Sequence, residues 1–407
     1  MPRRPAPPSV PLVLAAAVGL SVAAHAGGVA HAQEAAGAPA PPRSTEHHTL
    51  RAELGPEVDT NAHRTEVVRG VPNEPAVVSP LARAVLGGTI SDELGAGHQV
   101  ALAVTLAGKA FTNADATSEN VAVVDASGLW RKRFAEAWMA AATVGYYDAF
   151  QRDAPAPVYS SRRRDFRSLT PTLRLSRALG DSVDVGVGGG YRLFVFKPDH
   201  TYDFHAPTAV LDARWARETA DGAADWEVAL RAGYERRMFA GRQFVENTMC
   251  DTAPMCPPIT GPEDRRDDYL TSALDVTRTG SVLMGAGYGL HVNRSNSFGE
   301  SVLRHFVTAR FAAALPFELY LAARLELLFS RYADEVYVAQ RTDTAKPWVT
   351  IEDENRNSAR VELSRNLGDR LQLIARYTFY ANELTRNNDV SYRRQTALLS
   401  IAFNLEK

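Results

Sequence analysis

His291 and the serines after it, in the run His291-Val292-Asn293-Arg294-Ser295-Asn296-Ser297, carry the residue types of a nucleophilic hydrolase. An imidazole takes a hydroxyl proton only when both side chains share a face within hydrogen-bond reach, and on an extended chain i, i+2 spacing gives that reach. Asn293 holds the i+2 position and Ser295 stands two residues further along, so the spacing falls short of a working pair. No Ser-His-Asp spacing, nucleotide-binding loop or zinc motif emerges elsewhere, and the sequence predicts no catalytic residue, no cofactor and no nucleic-acid partner.

Cys250 and Cys256 lie close together in a polar, Pro-containing stretch, where an oxidising compartment would allow a small local disulfide. Two thiolates with no His beside them make a poor zinc shell, so no metal site is expected. Arg162, Arg163 and Arg164, with Arg152 and Arg167 nearby, form a basic cluster. It could attract anionic solutes, an anionic polymer or lipopolysaccharide phosphates, although a solvated charged loop has the same composition.

Charges that recur at alternate positions carry more information. Glu227, Arg231, Glu235 and Arg237 alternate with Trp226, Val228, Leu230, Ala232 and Tyr234. Glu318, Tyr320, Arg324, Glu326 and Ser330 oppose Phe317, Leu319, Leu321, Ala323, Leu325, Leu327 and Phe329, and Gln372 and Arg376 oppose Leu371, Leu373, Ala375 and Tyr377. A period of two places one set on each face of a strand. With lipid on the apolar face, Arg231, Glu235, Arg324, Glu326 and Arg376 point into a hydrated lumen and become the candidate pore-lining residues.

Arg3 and Arg4 precede an apolar run from Val10 to Ala24, and Ala30-His31-Ala32 supplies the small residues of a signal-peptidase site. The expected organisation is a signal peptide over 1–32, a flexible Ala/Pro/Gly-rich periplasmic tail over 33–48 and a barrel over 49–407. The formal charge of −2 becomes about −4 once those two arginines are removed, so local charge, not a global field, must carry selectivity. Past the signal no apolar segment approaches the roughly 20 residues of a membrane helix. The membrane solution left is a closed all-β barrel, which satisfies its backbone within hydrocarbon.

Strands are expected near residues 49–62, 80–93, 98–111, 120–134, 138–151, 165–178, 182–196 and 206–218, then 226–239, 268–279, 281–293, 300–314, 317–332, 357–366, 370–382 and 391–405. That predicts a transmembrane antiparallel barrel of about 16 strands, with 14 to 18 open, and both termini periplasmic. Short turns alternate with long loops, the latter including 152–164, 242–267 and 333–356. Trp130, Trp138, Tyr191, Trp215, Trp226, Phe317 and Phe329 would supply interfacial girdles.

These features make the chain resemble a porin-like bacterial outer-membrane barrel over roughly residues 49–407. The opening strand, Leu54-Gly55-Pro56-Glu57-Val58-Asp59-Thr60-Asn61, is similar to the first strand of several porin-like and secretion-related barrels. The last, with Ala397, Leu399, Ile401, Phe403 and Leu405 alternating outward, resembles the signal that barrel insertases recognise. In size and polar lumen the chain also resembles polysaccharide-export barrels that lack a helical-repeat scaffold. The His291 segment faintly resembles the His-x-Ser-Asn pattern of outer-membrane phospholipases and lipid A deacylases.

The resemblance implies location in the cell outer membrane, with outer-membrane lipid, lipopolysaccharide and the barrel assembly machinery as partners, and periplasmic polymer-export components if the cargo is a polysaccharide. The expected function is a transport conduit with a charged, hydrated lumen, for passive solute diffusion or polysaccharide export. The alternatives are a structural or surface-recognition barrel whose Cys250–Cys256 loop contacts a partner, and an outer-membrane lipid hydrolase.

Overall fold

A computed structural model describes residues 47–406 apart from 64–66, 69–70, 73–75, 96, 135–136, 152–164, 219–223, 248–258, 334–356, 382–383, 386–389 and 392. Sixteen strands of ten residues or more follow one another: β1 His47–Asp59, β2 Ser79–Glu93, β3 His98–Phe111, β4 Val121–Arg133, β5 Trp138–Gln151, β6 Phe166–Leu179, β7 Val183–Phe196 and β8 Phe204–Glu218. Then come β9 Ala224–Val245, β10 Ile259–Arg278, β11 Val282–Ser295, β12 Val302–Leu315, β13 Leu319–Tyr332, β14 Asn357–Asn366, β15 Leu371–Ala381 and β16 Arg393–Glu406.

Each strand pairs antiparallel with its neighbours in sequence, and β1 also pairs with β16, in the register Leu54↔Ile401 and Asp59↔Thr396. The sheet is therefore a closed sixteen-strand barrel. Closure gives every strand two partners and leaves no edge, the arrangement that lets a sheet satisfy its backbone inside hydrocarbon.

Connections alternate as the sequence predicts. Short ones span 94–97, 134–137, 180–182, 279–281, 316–318 and 367–370, while the opposite rim carries the connections over 60–78, 112–120, 152–165 and 333–356. The first strand begins and the last one ends on the turn side, where His47 Nε2 lies 3.5 Å from Glu406 Oε1. The loop side adds small pieces of sheet, with Val67–Val68 pairing both with Val71–Pro72 and with Val390–Ser391. No described helix is long and apolar enough to cross a membrane, and crossing falls to the strands.

The outer wall shows why these residues form these strands. Leu54, Leu106, Leu173, Leu211, Leu230, Leu325, Val361 and Ile401 all stand on outward positions and are exposed, which in a closed barrel places them against lipid. Trp130, Trp138, Trp215 and Trp226 all lie on the outer face near the turn-side ends of their strands, so the described tryptophans form one girdle. Arg177 lies over Trp138 and Arg278 over Trp226, cations that reach past the rings toward the interface. Tyr146, Tyr191 and Tyr234 occupy outward positions nearer the loops, and their hydroxyls bond Asp148, His205 and Asp268 respectively.

Two expectations are corrected. Phe317 does not open β13 on the lipid face: it sits in the turn after Leu315, with φ 65° beside Glu318 at 59°, and is 83 % exposed. The in-register pair Leu315↔Leu319 closes a tight hairpin, whose reversal demands those left-handed angles, so alternating parity continues through a residue that is not in the strand. The expected loop over 242–267 is strand at both ends. β9 runs on to Val245 and β10 begins at Ile259, with Phe244↔Thr260 and Val245↔Ile259 extending the hairpin, and Phe244 is tied at its base by the Ser297 hydroxyl, which accepts from its N–H at 2.9 Å.

Candidate functional site

Among the described residues the inward face carries charge along the length of the strands. Along β9 the inward set is Glu227, Arg231, Gly233, Glu235, Arg237 and Phe239; along β13 it is Tyr320, Arg324, Glu326, Leu328 and Ser330; along β15 it is Gln372, Ile374, Arg376, Thr378 and Tyr380. Arg231, Glu235, Arg324, Glu326 and Arg376 thus all point inward.

The lumen has two unlike halves. Toward the turns its charged side chains are half-exposed: Arg51, Asp125, Arg174, Asp212, Arg214, Glu227, Arg231, Arg310, Arg324, Arg360 and Glu362 all meet solvent in part. They pair along the wall. Arg174 donates to Asp212 at 3.0 and 2.5 Å, Arg214 to Glu227 at 3.0 Å, Arg376 to Glu362 at 2.8 Å, and Arg324 to Glu326. In Arg174–Asp212 and Arg214–Glu227 both partners are part-exposed, and ion pairs in such a wetted setting contribute little to stability, about 0–1 kcal/mol each, so these groups remain available to a passing solute.

Charge is unevenly spread around this half. On β3 to β6 many inward positions are small, among them Ala101, Ala103, Thr105, Ser127, Ala141, Thr143 and Thr172, and the inward charges there include Asp125, Arg131 and Arg174. Across the barrel, Arg310, Arg324 and Arg360 stand directly opposite one another on β12, β13 and β14. Like charges in register repel, and the wall supplies acceptors, Glu326 for Arg324 and the Thr277 hydroxyl, at 2.5 Å, for Arg310.

Toward the loops the inward groups are buried and tightly matched. Asp59 on β1 takes hydrogen bonds from Arg394 on β16 at 2.9, 2.9 and 2.5 Å, across the seam, with both side chains almost wholly enclosed. Glu57 is flanked by Lys109 at 3.4 Å and Arg83 at 3.7 Å. Farther round, Arg237 reaches Glu235 at 2.5 Å with Arg192 at 3.6 Å, and Arg265 bridges Asp267 at 2.7 Å and Glu300 at 3.0 Å. Burying such charges is favourable only with partners placed this closely.

Beside these pairs runs a row of rings. Tyr147, Phe166, Phe194, Phe204 and Phe239, one from each of β5 to β9, have successive centroids 4.9, 5.1, 4.8 and 5.2 Å apart. Arg265 caps the last ring at 4.2 Å, and Arg237 lies 5.1 Å from Phe204. Loop residues add to this closure: Ala62 and Ala116 pack on inward Leu81 and Phe111, and His63 lies 3.5 Å from Glu119.

Of the expected pore-lining residues, Arg231 stands in register with Asp212 in the open half. Glu235 and Glu326 are buried in ion pairs, and Arg376 lies between Glu362 and Glu53, the latter at 3.7 Å. The five are distributed around the wall and do not converge on one point. His291 points inward as its parity requires, but its Nδ1 pairs with the Tyr269 hydroxyl at 2.6 Å while the Ser295 hydroxyl donates to Asp267 at 2.5 Å. Imidazole and hydroxyl thus have separate partners. Arg162, Arg163, Arg164, Cys250 and Cys256 lie outside the described residues. Among the described residues no group of three His, Cys, Asp or Glu could hold a metal ion.

Sequence reasoning missed the glycines of the inward face. Gly186, Gly188 and Gly190 on β7 and Gly285, Gly287 and Gly289 on β11 hold inward positions, and the alternation in Val185-Gly186-Val187-Gly188 is the signal that could have found them.

No known protein family matches the sequence, and no curated protein matches it either. Solved structures do. OprB of Pseudomonas putida is 11 % identical with a TM-score of 0.46, over 88 % of this chain and 94 % of that one. OmpT, an outer-membrane protein of Vibrio cholerae, is 11 % identical with a TM-score of 0.42, over 89 % and 99 %; OccK2 of Pseudomonas aeruginosa is 11 % identical with a TM-score of 0.37, over 88 % and 98 %. Likenesses this distant leave function to the chain's own residues.

Proposed function

We propose that the chain is a porin-like outer-membrane conduit through which small hydrophilic solutes pass, with anions favoured over cations. The observation that carries this reading is the half-exposure of inward charges throughout the turn-side half of a sixteen-strand barrel: water must reach them, and barrels of this strand number are wide enough to hold an aqueous channel. The row Arg310, Arg324 and Arg360 supports the anion preference, because rings and rows of one charge sort ions where a passage is confined. The packed loop-side half favours small solutes over polysaccharide export.

In this reading residues 1–32 are a cleaved signal, the turn side faces the periplasm and the loops face outward, next to lipopolysaccharide. The purified barrel in a planar bilayer should conduct, with a reversal potential in a salt gradient that reports anion preference. A folded protein that never conducts, even in a variant shortened between Tyr332 and Asn357, refutes the conduit.

A further inference from the structure

Gly285 on β11 lies between two neighbours at one height: Arg310 of β12 is in register with it on one side and Thr277 of β10 on the other. The Arg310 side chain crosses the strand between them, and its Nη2 donates to the Thr277 hydroxyl at 2.5 Å. That crossing spans two interstrand spacings, about 10 Å, and is made flat against the wall. A Cβ on Gly285 would stand 2.6 Å from Arg310 Cγ and 3.0 Å from Cδ. Only a residue without a side chain leaves the trough in which this arginine lies.

The same construction recurs a quarter-turn or so round the barrel. Asp212 of β8 is in register with Gly186 of β7, and Arg174 of β6 reaches across that strand to bond it. A Cβ on Gly186 would stand 2.7 Å from two guanidinium nitrogens of Arg174 and 2.8 Å from Asp212 Oδ2. These obstacles are the ends of flexible side chains. Gly188 and Gly190 differ, since their Cβ atoms would meet the backbone carbonyls of Leu173 and Pro171, and they serve strand packing.

We infer that Gly285 and Gly186 set the width of the passage, by seating Arg310 and Arg174 flat so that their charge lines the lumen without obstructing it. The inference rests on the conduit reading. A methyl group at either position would tip its arginine off the wall toward the axis, narrowing the path while leaving the backbone and the charge count unaltered.

The test is a cycle in planar bilayers: wild type, Gly285→Ala, Arg310→Ala and the double variant, with Gly128→Ala as control. Gly128 faces outward with nothing within 4 Å of its would-be Cβ, so its variant should conduct like wild type. Gly285→Ala should lower single-channel conductance, and adding Arg310→Ala should restore it. Unchanged conductance in Gly285→Ala, or a fall that Arg310→Ala does not restore, overturns the inference.

Thermal unfolding of the same four proteins gives a readout independent of conduction. If the wild type does not conduct, the conduit reading fails, and the seat is then judged by whether Arg310→Ala cancels the melting-temperature loss of Gly285→Ala; additive losses overturn it. If Gly285→Ala does not fold, the double variant must, because the obstacle is the arginine side chain. A double variant that also fails to fold overturns the seat.

Discussion

Thr105 and Leu106 are neighbours near the middle of β3 and face opposite ways, so an arginine placed at each in turn measures the two environments of the wall. Leu106 is exposed on the outer face, in register with Leu86 of β2 and Val124 of β4. Thr105 points inward between Gly87 and Asp125, and Gly87 leaves room for a long side chain. An arginine on the lipid face at mid-bilayer costs about 2–4 kcal/mol. At Thr105 the guanidinium stays in a wetted lumen beside Asp125, where a pair of this kind contributes about 0–1 kcal/mol in its favour.

The expected gap between Leu106→Arg and Thr105→Arg is therefore about 2–5 kcal/mol, with Leu106→Arg the less stable, and its lower end is already about thirtyfold in the folding equilibrium. The measurement is urea unfolding in phospholipid vesicles, read by the mobility difference between folded and heated protein. Equal destabilisation, or a greater loss at Thr105→Arg, would refute both the facing of β3 and the hydration of the lumen beside it.

Changing Arg231, Arg324 and Arg376 together to Gln should move the reversal potential toward cation preference, and conduction with unchanged preference would show that the rate-limiting passage lies elsewhere. Arg394→Ala should cost about 3–5 kcal/mol in the same unfolding assay, because it strands the enclosed Asp59 carboxylate; replacing the pair together by Met and Leu should recover much of that loss. Phe204→Ala, which removes the ring between Phe194 and Phe239, should cost about 3–5 kcal/mol. A loss below about 1 kcal/mol would mean that the site collapses readily and the row is loosely packed.

The strands were legible because lipid outside and water inside impose one rule on every one of them. Residues 98–111, 138–151 and 357–366 are strand over the ranges that alternation predicts, and the inward parity of Arg231, Arg324 and Arg376 follows from it. Parity says nothing about height. Arg231 and Glu235 share a face, yet one meets solvent and the other is buried against Arg237 and Arg192, a difference made by residues brought from β7 and by loops that fold inward. The glycine seats escaped for a related reason. Arg174 and Asp212 lie 38 positions apart in sequence and meet only because both strands flank β7, so the demand on Gly186 arises from strand pairing and not from its own neighbours in the chain. Phe317 misled because a hairpin can interrupt a strand without breaking its period.

The seam between β1 and β16 has a kinetic consequence. Among the described strands β1 to β16, fifteen of the sixteen pairings join neighbours in sequence and can form locally. The remaining one joins Asp59 to Arg394, 335 positions away, and must pay the loop-closure entropy of nearly the whole chain. Residues 47–59 therefore have only one of their two partners until the final strand has been synthesised and delivered. Until then both ends of the curling sheet present unpaired backbone, an invitation to other strands, and a chain cut short before Arg393 would keep that invitation permanently. The enclosed ion pair at the seam is thus a latch that only a chain carrying both of these strands can fasten.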